Sequence, residues 1–269
     1  MQRIANGTQV SVMPTPAAAV GTPGYATNGN PAAGQEATIF GADDFNRIQE
    51  ELVSVILGAG LTLNGSDNAQ LLAALKGMFR VGMAVFTSSG TFTVPAGVTK
   101  VKVRAWGGGG SGRSTSDGQY PGGGGGGGGY GESVIDVSGI PSIPVTVGAG
   151  GLNGPGGSSS FGAYLTANGG SAGGAGTAGA TGAGGSGGGV SGAQIAIPGS
   201  SASPGIVYSS TVVEGGNGGA AFGGQPVRAA GSPAAGITGS PGIFPGGGSS
   251  GCTGSGLAAG ANGLVIIEW

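Results

Sequence analysis

Glycine at every third position is the feature that most constrains this chain. From Gly170 to Gly188, glycine occupies seven successive third positions. A period of three matches neither an α-helix, at about 3.6, nor a β-strand, at about 2. It is the period of polyproline II, an extended left-handed helix without internal hydrogen bonds. Because glycine lacks a Cβ atom, neighbouring backbone can pack directly against it, and a straight run would span about 55–60 Å.

Composition favours an ordered scaffold. Glycine contributes 69 of 269 residues, against a usual share of about 7%. Disordered chains are typically charged and poor in apolar residues, whereas here 7% of residues are charged and β-branched runs require a core. Collagen is excluded because residues 157–196 contain no proline. Since amides in extended helices must pair with neighbouring chains, stacked polyglycine-type helices with loops at their ends are predicted.

The first 82 residues differ in character from the rest. Residues 1–40 are rich in proline, alanine and glycine and predict an extended attachment arm. Residues 41–82 predict a two-helix attachment or oligomerisation module, capped at Asp43 or Asp44 and at Ser66 or Asp67. Helices this short need a packing partner. The two helices could pack on each other, on another copy of the chain or on a docking protein, and the spacing of their apolar residues does not say which. Their apolar positions are Phe45, Ile48, Leu52, Val55, Ile56, Leu71, Leu72 and Leu75.

Residues 83–269 predict a β-rich domain with glycine-rich insertions. Met83–Thr87 and Thr91–Val94 are predicted to form a hairpin, and Thr99–Trp106 alternates like a half-buried strand. The apolar run Leu264–Trp269 predicts a central strand covered on both faces. Further strands are predicted at Ser133–Val137, Pro144–Val147 and Ser160–Leu165.

Charge and hydropathy exclude several partners. Net charge is −2, and Lys100, Lys102 and Arg104 alternate along one strand, which is typical of a solvated strand face rather than a nucleic-acid site. The sequence has no apolar run of about 18 residues, so no membrane insertion is expected. It also lacks an apolar leader after Met1, so secretion through a signal peptide is not expected.

The sequence offers little for catalysis. It has no histidine and one cysteine, Cys252, which removes the common triads and metal sites. Glu132 and Asp136 lie on one strand face about 13 Å apart, which is too far for the carboxylate pair of a glycosidase. We therefore expect no enzymatic activity, no cofactor and no metal.

Recognition remains, through loops that interrupt the glycine runs. Tyrosine, arginine and small polar residues on a rigid frame bind at low entropic cost. An alternative is that Tyr208, Phe222 and Phe244 simply close the ends of the scaffold. The candidate receptor-binding residues are Arg113, Asp117, Tyr120, Gln194, Tyr208, Gln225, Arg228 and Phe244.

Two segments resemble bacteriophage tail fibre proteins. The run from Phe86 through Val94-Pro-Ala-Gly97 and Lys100-Val-Lys-Val-Arg-Ala-Trp106 into four glycines is similar to the start of their glycine-rich domain. The closing Gly260–Trp269 is similar to its end. Phe45-Asn-Arg-Ile-Gln-Glu-Glu-Leu-Val53 resembles their N-terminal module. T-even tail-fibre tip adhesins are similar in having stacked polyglycine helices with variable distal loops, although this chain carries its own attachment module.

The resemblance implies a homotrimeric virion component, made in the host cytoplasm and acting outside the cell. Its N-terminus would attach to baseplate or tail proteins, and its C-terminal domain would bind a bacterial polysaccharide or outer-membrane protein. A purely structural tail protein and a surface-polysaccharide hydrolase are the alternatives. The expected fold is mainly β, a small β-sandwich with stacked polyglycine-II helices, preceded by the arm and the two helices.

Overall fold

The computed structural model describes residues 3–5, 7–15, 24–78, 82–114, 120–210, 212–229, 231–232, 236–254 and 256–269. The chain forms two compact units, Met1–Arg80 and Val81–Trp269. The described residues of the first unit form a 3-10 turn at Pro31–Ala33 and two helices, α1 at Ala42–Gly58 and α2 at Gln70–Met78. In the described part of the chain, no helix has the length and apolar character needed to cross a membrane.

Both helices begin differently from the prediction. α1 starts after Gly41, and the Asp44 carboxylate accepts a hydrogen bond from the Gly41 N–H at 3.0 Å. Asp44 therefore lies inside the first turn rather than at the cap. α2 starts three residues after Asp67, whose carboxylate accepts from the Ala69 N–H at 2.8 Å and stabilises the preceding turn instead. In both cases the acidic side chain caps a backbone N–H, but not at the expected position.

The second unit is built from short strands. Those formed by its described residues are β1 Met83–Phe86, β2 Gly90–Thr93, β3 Lys100–Trp106, β4 Tyr130–Asp136, β5 Ser142–Thr146, β6 Ser159–Phe161, β7 Leu165–Ala167, β8 Val190–Ser191, β9 Ile195–Ile197, β10 Ile206–Val207, β11 Val213–Glu214, β12 Gly231–Ser232 and β13 Leu264–Glu268.

Two antiparallel five-stranded sheets form a sandwich, which confirms the mainly β fold. Their strand orders are β1-β13-β3-β4-β9 and β2-β5-β6-β7-β8, and β10-β11-β12 form a separate small sheet. Alternate residues of β3 and β13 point into the core, where Val101, Val103, Val265 and Ile267 are at most 1% exposed. Phe161 of the second sheet packs on the same core. β13 lies between β1 and β3, as predicted for a central strand, although its outward residue Ile266 is partly exposed.

Two strand predictions are wrong. β1 and β2 do not form a hairpin, because β1 pairs with β13 and β2 with β5. The chain crosses from one sheet to the other between them, which lets Phe86 and Phe92 enter the core from opposite sides. The predicted strand Ser160–Leu165 is instead the hairpin of β6 and β7, since Gly162 adopts φ +51° and reverses the chain.

Candidate functional site

A run of eight glycines, Gly122–Gly129, forms the centre of a bundle of extended segments. The N–H groups of successive residues donate in turn to segments 246–254, 168–176 and 199–205, with N···O distances of 2.8–3.1 Å. The carbonyl groups of 121–127 and of Gly129 accept from segments 107–114, 182–189 and 215–221. Each third residue faces the same neighbour, which is the three-residue period predicted from the sequence. The central segment therefore has six hydrogen-bonded neighbours.

The six neighbours are also hydrogen-bonded to one another in a closed ring. Segment 246–254 pairs with 107–114, which pairs with 168–176, and the pairing continues through 182–189, 199–205 and 215–221 back to 246–254. This is the hexagonal packing of polyglycine II, with the main chain supplying the interactions. A Cβ atom on any of Gly122–Gly129 would lie 1.9–2.5 Å from a neighbouring carbonyl oxygen, which leaves no room for a side chain.

The long glycine-triplet run is not straight. Segments 168–176 and 182–189 are antiparallel neighbours, joined by a turn in which Thr177 and Ala180 pair and Gly179 adopts φ +91°. Gly170, Gly173 and Gly176 are buried on one side, while Ser171 and Ala175 are exposed. The period-three pattern thus sorts glycine to the inside of the bundle and small side chains to its surface.

Serine hydroxyls provide some of the hydrogen bonds between neighbouring segments. The Ser249 Oγ accepts from the Gly112 N–H at 2.7 Å and donates to the Ala258 carbonyl at 2.6 Å. Ser203 Oγ likewise accepts from the Asn217 N–H at 2.7 Å. These side chains act as part of the scaffold, a role that the sequence analysis missed.

Ser249→Ala is expected to lower the free energy of unfolding by about 2–6 kcal/mol. The substitution leaves a buried donor and a buried acceptor unpaired, at about 1–3 kcal/mol each. Urea unfolding followed by circular dichroism measures the change. Ser186→Ala, at an exposed position of the same bundle, serves as control and should stay within about 0.5 kcal/mol of the parent. Equal losses in the two variants would contradict the assigned role of Ser249.

The bundle has two distinct ends. One end adjoins the sandwich, because Trp106, Tyr130, Ala167 and Leu264 of the sheets lead directly into or out of bundle segments. The opposite end, here called the distal end, comprises the described residues 113–114, 120–121, 176–182, 204–210, 212–214 and 252–254. The small sheet β10-β11-β12 belongs to this end.

Three candidate receptor-binding residues lie at the distal end. Tyr208 is 63% exposed, and its hydroxyl donates to Glu214 Oε2 at 3.0 Å. This hydrogen bond and the negative charge of Glu214 raise the pKa of Tyr208. Arg113 is half-buried and donates to Asn153 Oδ1, and Tyr120 is half-buried beside Pro121. Asp117 lies outside the described residues.

The remaining candidates do not share the distal end. Gln194 lies at the sheet, where its Oε1 accepts from the Val134 N–H at 3.0 Å beyond the last pairing of β9. Phe244 is 51% exposed in the turn before Gly246, at the sandwich end. Gln225 and Arg228 are exposed on an outer segment that pairs with Gly218. The candidate receptor-binding residues are therefore divided between the distal end, the sandwich end and an outer segment on the side of the bundle.

An aromatic cluster joins the bundle to the first sheet. Tyr130 packs against Trp106 at 4.7 Å and stacks with Phe222 at 4.4 Å between ring centroids. The Trp106 Nε1 donates to the Phe222 carbonyl at 2.9 Å. Phe222 thus covers the sandwich end of the bundle, and the cluster has a packing role.

The outer face of the first sheet carries paired charges. Lys102 Nζ lies 2.9 Å from Glu132, Arg104 pairs with Glu268, and the Tyr130 hydroxyl donates to Glu132 at 2.7 Å. The hydrogen bond from Tyr130, followed by that from Lys102, lowers the pKa of Glu132 from its ordinary 4.5. These groups form a half-exposed network rather than an isolated acid pair.

Glu132→Gln is expected to weaken the acid dependence of stability. Because the folded-state pKa is lowered, the contribution of Glu132 is present above pH 4.5 and is lost as pH falls through the folded value. At pH 7 the loss should be about 0.2–1 kcal/mol, since the pair is partly solvated. Chemical unfolding at pH 7 and at pH 3 measures the difference, which should shrink at the lower pH. A difference that grew on acidification would contradict this assignment.

The apolar positions of the helices are largely unburied in the first unit. The buried residues are Val53, Ile56 and Ala74, together with Gln49 and Gln70. Leu52, Val55 and Leu71 are partly buried, and four others have exposed side chains: Phe45 at 43%, Ile48 at 54%, Leu72 at 55% and Leu75 at 39%. The helices contact each other, but that contact leaves four of the eight stripe positions exposed.

The arm is tied to the middle of α1. Arg3 forms a bidentate pair with Glu50 at 2.5 and 2.8 Å, and the Ile4 N–H donates to the buried Gln49 side chain at 3.1 Å. This pairing lowers the pKa of Glu50. Sequence patterns gave no indication of Gln49, because a glutamine on an amphipathic helix is ordinarily solvated.

Comparison with known families gives one match. Residues 87–269 match the family described as a glycine-rich domain. A search of the curated proteins finds no match. Within the described residues, no group of three or more acidic or cysteine side chains is placed to hold a metal ion.

Proposed function

The chain belongs to the glycine-rich domain family, and from this premise we propose that it is a phage tail fibre protein that binds a bacterial surface receptor. The observation that carries the proposal is the distal end of the bundle. There, Tyr208 and its hairpin project from segments that are hydrogen-bonded on several sides. A rigid frame with exposed aromatic and aliphatic side chains at one end is suited to binding.

The exposed apolar positions of the helical unit are the observation behind a proposed role in attachment and assembly. Phe45, Ile48, Leu72 and Leu75 are exposed although they lie at helical spacing, and apolar stripes of this kind are stabilised by a partner helix. We propose that this unit forms a homotrimer and joins baseplate or tail proteins, so that the protein acts on the virion outside the host cell. Light scattering of the intact protein tests the stoichiometry, and a monomeric mass would contradict the trimer.

Receptor binding is tested with the full-length chain labelled with a fluorophore. The probe is a panel of bacterial strains, and the expected result is saturable labelling of some strains and not others. Variants at the distal end should lose labelling, and variants at the sandwich end should keep it. A folded protein that labels no strain would favour the alternative of a purely structural tail component.

We propose binding without catalytic turnover. Glu132, the carboxylate considered for hydrolysis, is engaged with Tyr130 and Lys102. Incubation with purified capsule and lipopolysaccharide from a labelled strain should release no reducing ends. Release that persisted at catalytic amounts of protein would instead support a surface-polysaccharide hydrolase.

A further inference from the structure

A short hairpin closes the distal end between two bundle segments. β10 pairs with β11 so that Ile206 lies opposite Glu214 and Val207 opposite Val213. The Tyr208 N–H donates to the Val212 carbonyl at 2.9 Å, which extends the pairing by one step. On either side the chain enters segments 199–205 and 215–221, which are hydrogen-bonded to each other and to the central glycines. The hairpin therefore has a rigid base.

The hairpin has two faces of different character. Because side chains alternate along paired strands, Ile206, Tyr208, Val212 and Glu214 share one face, and Val207 and Val213 share the other. Val213 is 5% exposed, whereas Val207, opposite it on the same face, is 41% exposed, so that face is only partly covered. On the first face, here called the outward face, Ile206, Tyr208 and Val212 are 41%, 63% and 39% exposed. The outward face is thus apolar apart from one carboxylate.

That carboxylate is engaged with the exposed ring. The Tyr208 hydroxyl donates to Glu214 Oε2 at 3.0 Å, across the diagonal of the hairpin. An exposed tyrosine ordinarily samples several rotamers, and ordering it on binding costs free energy. Tying its hydroxyl to Glu214 fixes the ring before any partner arrives. By contrast, Arg113 at the same end is half-buried and already bonded to Asn153.

We infer that Tyr208 is the anchoring contact for the surface receptor, that Glu214 is its positioning residue, and that the contact made by the outward face is apolar rather than ionic. This inference rests on the proposed receptor-binding function. The partner surface is therefore apolar, covering the Tyr208 ring together with Ile206 and Val212. Tyrosine is one of the residue types enriched among interface hot spots.

The anchoring role is tested on a strain that the intact protein labels. Tyr208→Ala should reduce the affinity for those cells about 30-fold or more, the loss typical of a hot spot. Tyr25→Ala is the control, because it removes an exposed tyrosine from the first unit, and it should change affinity less than twofold. Raising sodium chloride from 0.05 to 0.5 M should also change affinity less than twofold, since salt screens ionic contacts and not apolar ones.

The positioning role is tested by a double-mutant cycle. Glu214→Ala and Tyr208→Phe each remove the hydrogen bond, and each should weaken binding about fivefold. The double variant should be no weaker than either single one, because both remove the same interaction. Glu214→Gln keeps an acceptor and should restore binding to within about twofold of the parent. Ultraviolet titration, with Tyr208→Phe as the blank, should show that Glu214→Ala returns the pKa of Tyr208 towards 10.0.

The outcomes separate this inference from the proposed function. Labelling that survives Tyr208→Ala leaves receptor binding in place and overturns the anchor. Additive losses in the cycle, or an unchanged Tyr208 pKa in Glu214→Ala, overturn the positioning role. Labelling abolished by salt overturns the apolar contact. A folded parent protein that labels no strain overturns the proposed function and this inference with it.

Discussion

Replacing Gly126 with alanine is expected to unfold the second unit. The added Cβ atom would lie 2.0 Å from the Ser186 carbonyl oxygen, and the residue is enclosed by hydrogen bonds to Ser171 and Gly110 at 2.9 and 2.8 Å. Neither neighbour is a flexible side chain, so relief requires separating backbone segments and breaking their hydrogen bonds. We expect a loss above about 4–5 kcal/mol, comparable with the whole stability of many domains, about 5–15 kcal/mol.

Thermal unfolding by circular dichroism measures this effect, with Gly154→Ala as the matched control. A Cβ atom at Gly154 meets nothing within 4 Å, although its carbonyl also accepts a bundle hydrogen bond, from Ser111 at 3.0 Å. The control should lie within about 0.5 kcal/mol of the parent. A Gly126→Ala protein as stable as the parent would show that the central segment is not packed as described.

Ile267→Ala is expected to cost about 2–5 kcal/mol of unfolding free energy, the range for buried isoleucine. Ile267 is fully buried in the core of the sandwich and lies between Ala84 and Val103 on the strands flanking β13. Its loss leaves a cavity next to the strand that joins β1 to the rest of the sheet. Because the bundle segments are continuous with these sheets, we expect the whole second unit to be destabilised.

The adjacent residue supplies the control for that prediction. Ile266 has the same side chain on the same strand, but it points to the outer face and is partly exposed. Ile266→Ala should cost about 1 kcal/mol or less. Guanidinium unfolding of both variants gives the comparison, and losses of equal size would contradict the assignment of inner and outer faces.

Sequence periodicity predicted the local features of the fold, which depend on residues close together in the sequence. The spacing of Gly170, Gly173 and Gly176 indicated an extended helix of period three, and the alternation in β3 indicated its buried face. Neither pattern could locate the reversal at Gly179, because that glycine has the same sequence surroundings as the others in the run. Its role depends on the segment that folds back against it.

Long-range pairing explains the other differences. β1 and β2 are separated by three residues, and their spacing is that of a hairpin, but their partners β13 and β5 lie far away in the sequence. The ends of the bundle are likewise set by topology, which separates Tyr208 from Gln194 and Phe244. The Tyr208–Glu214 pair has no sequence pattern of its own, since it depends on the register of a hairpin.

The closed ring around Gly122–Gly129 also restricts how the chain can change length. Inserting one residue in a segment rotates every following N–H by a third of a turn and aims it at the wrong neighbour. Three inserted residues restore the direction of every group and lengthen the segment by about 9 Å. Viable insertions and deletions inside the bundle should therefore come in multiples of three residues, or nine nucleotides in the gene. Loops at the distal end are not bound by this rule, so their length can change by a single residue.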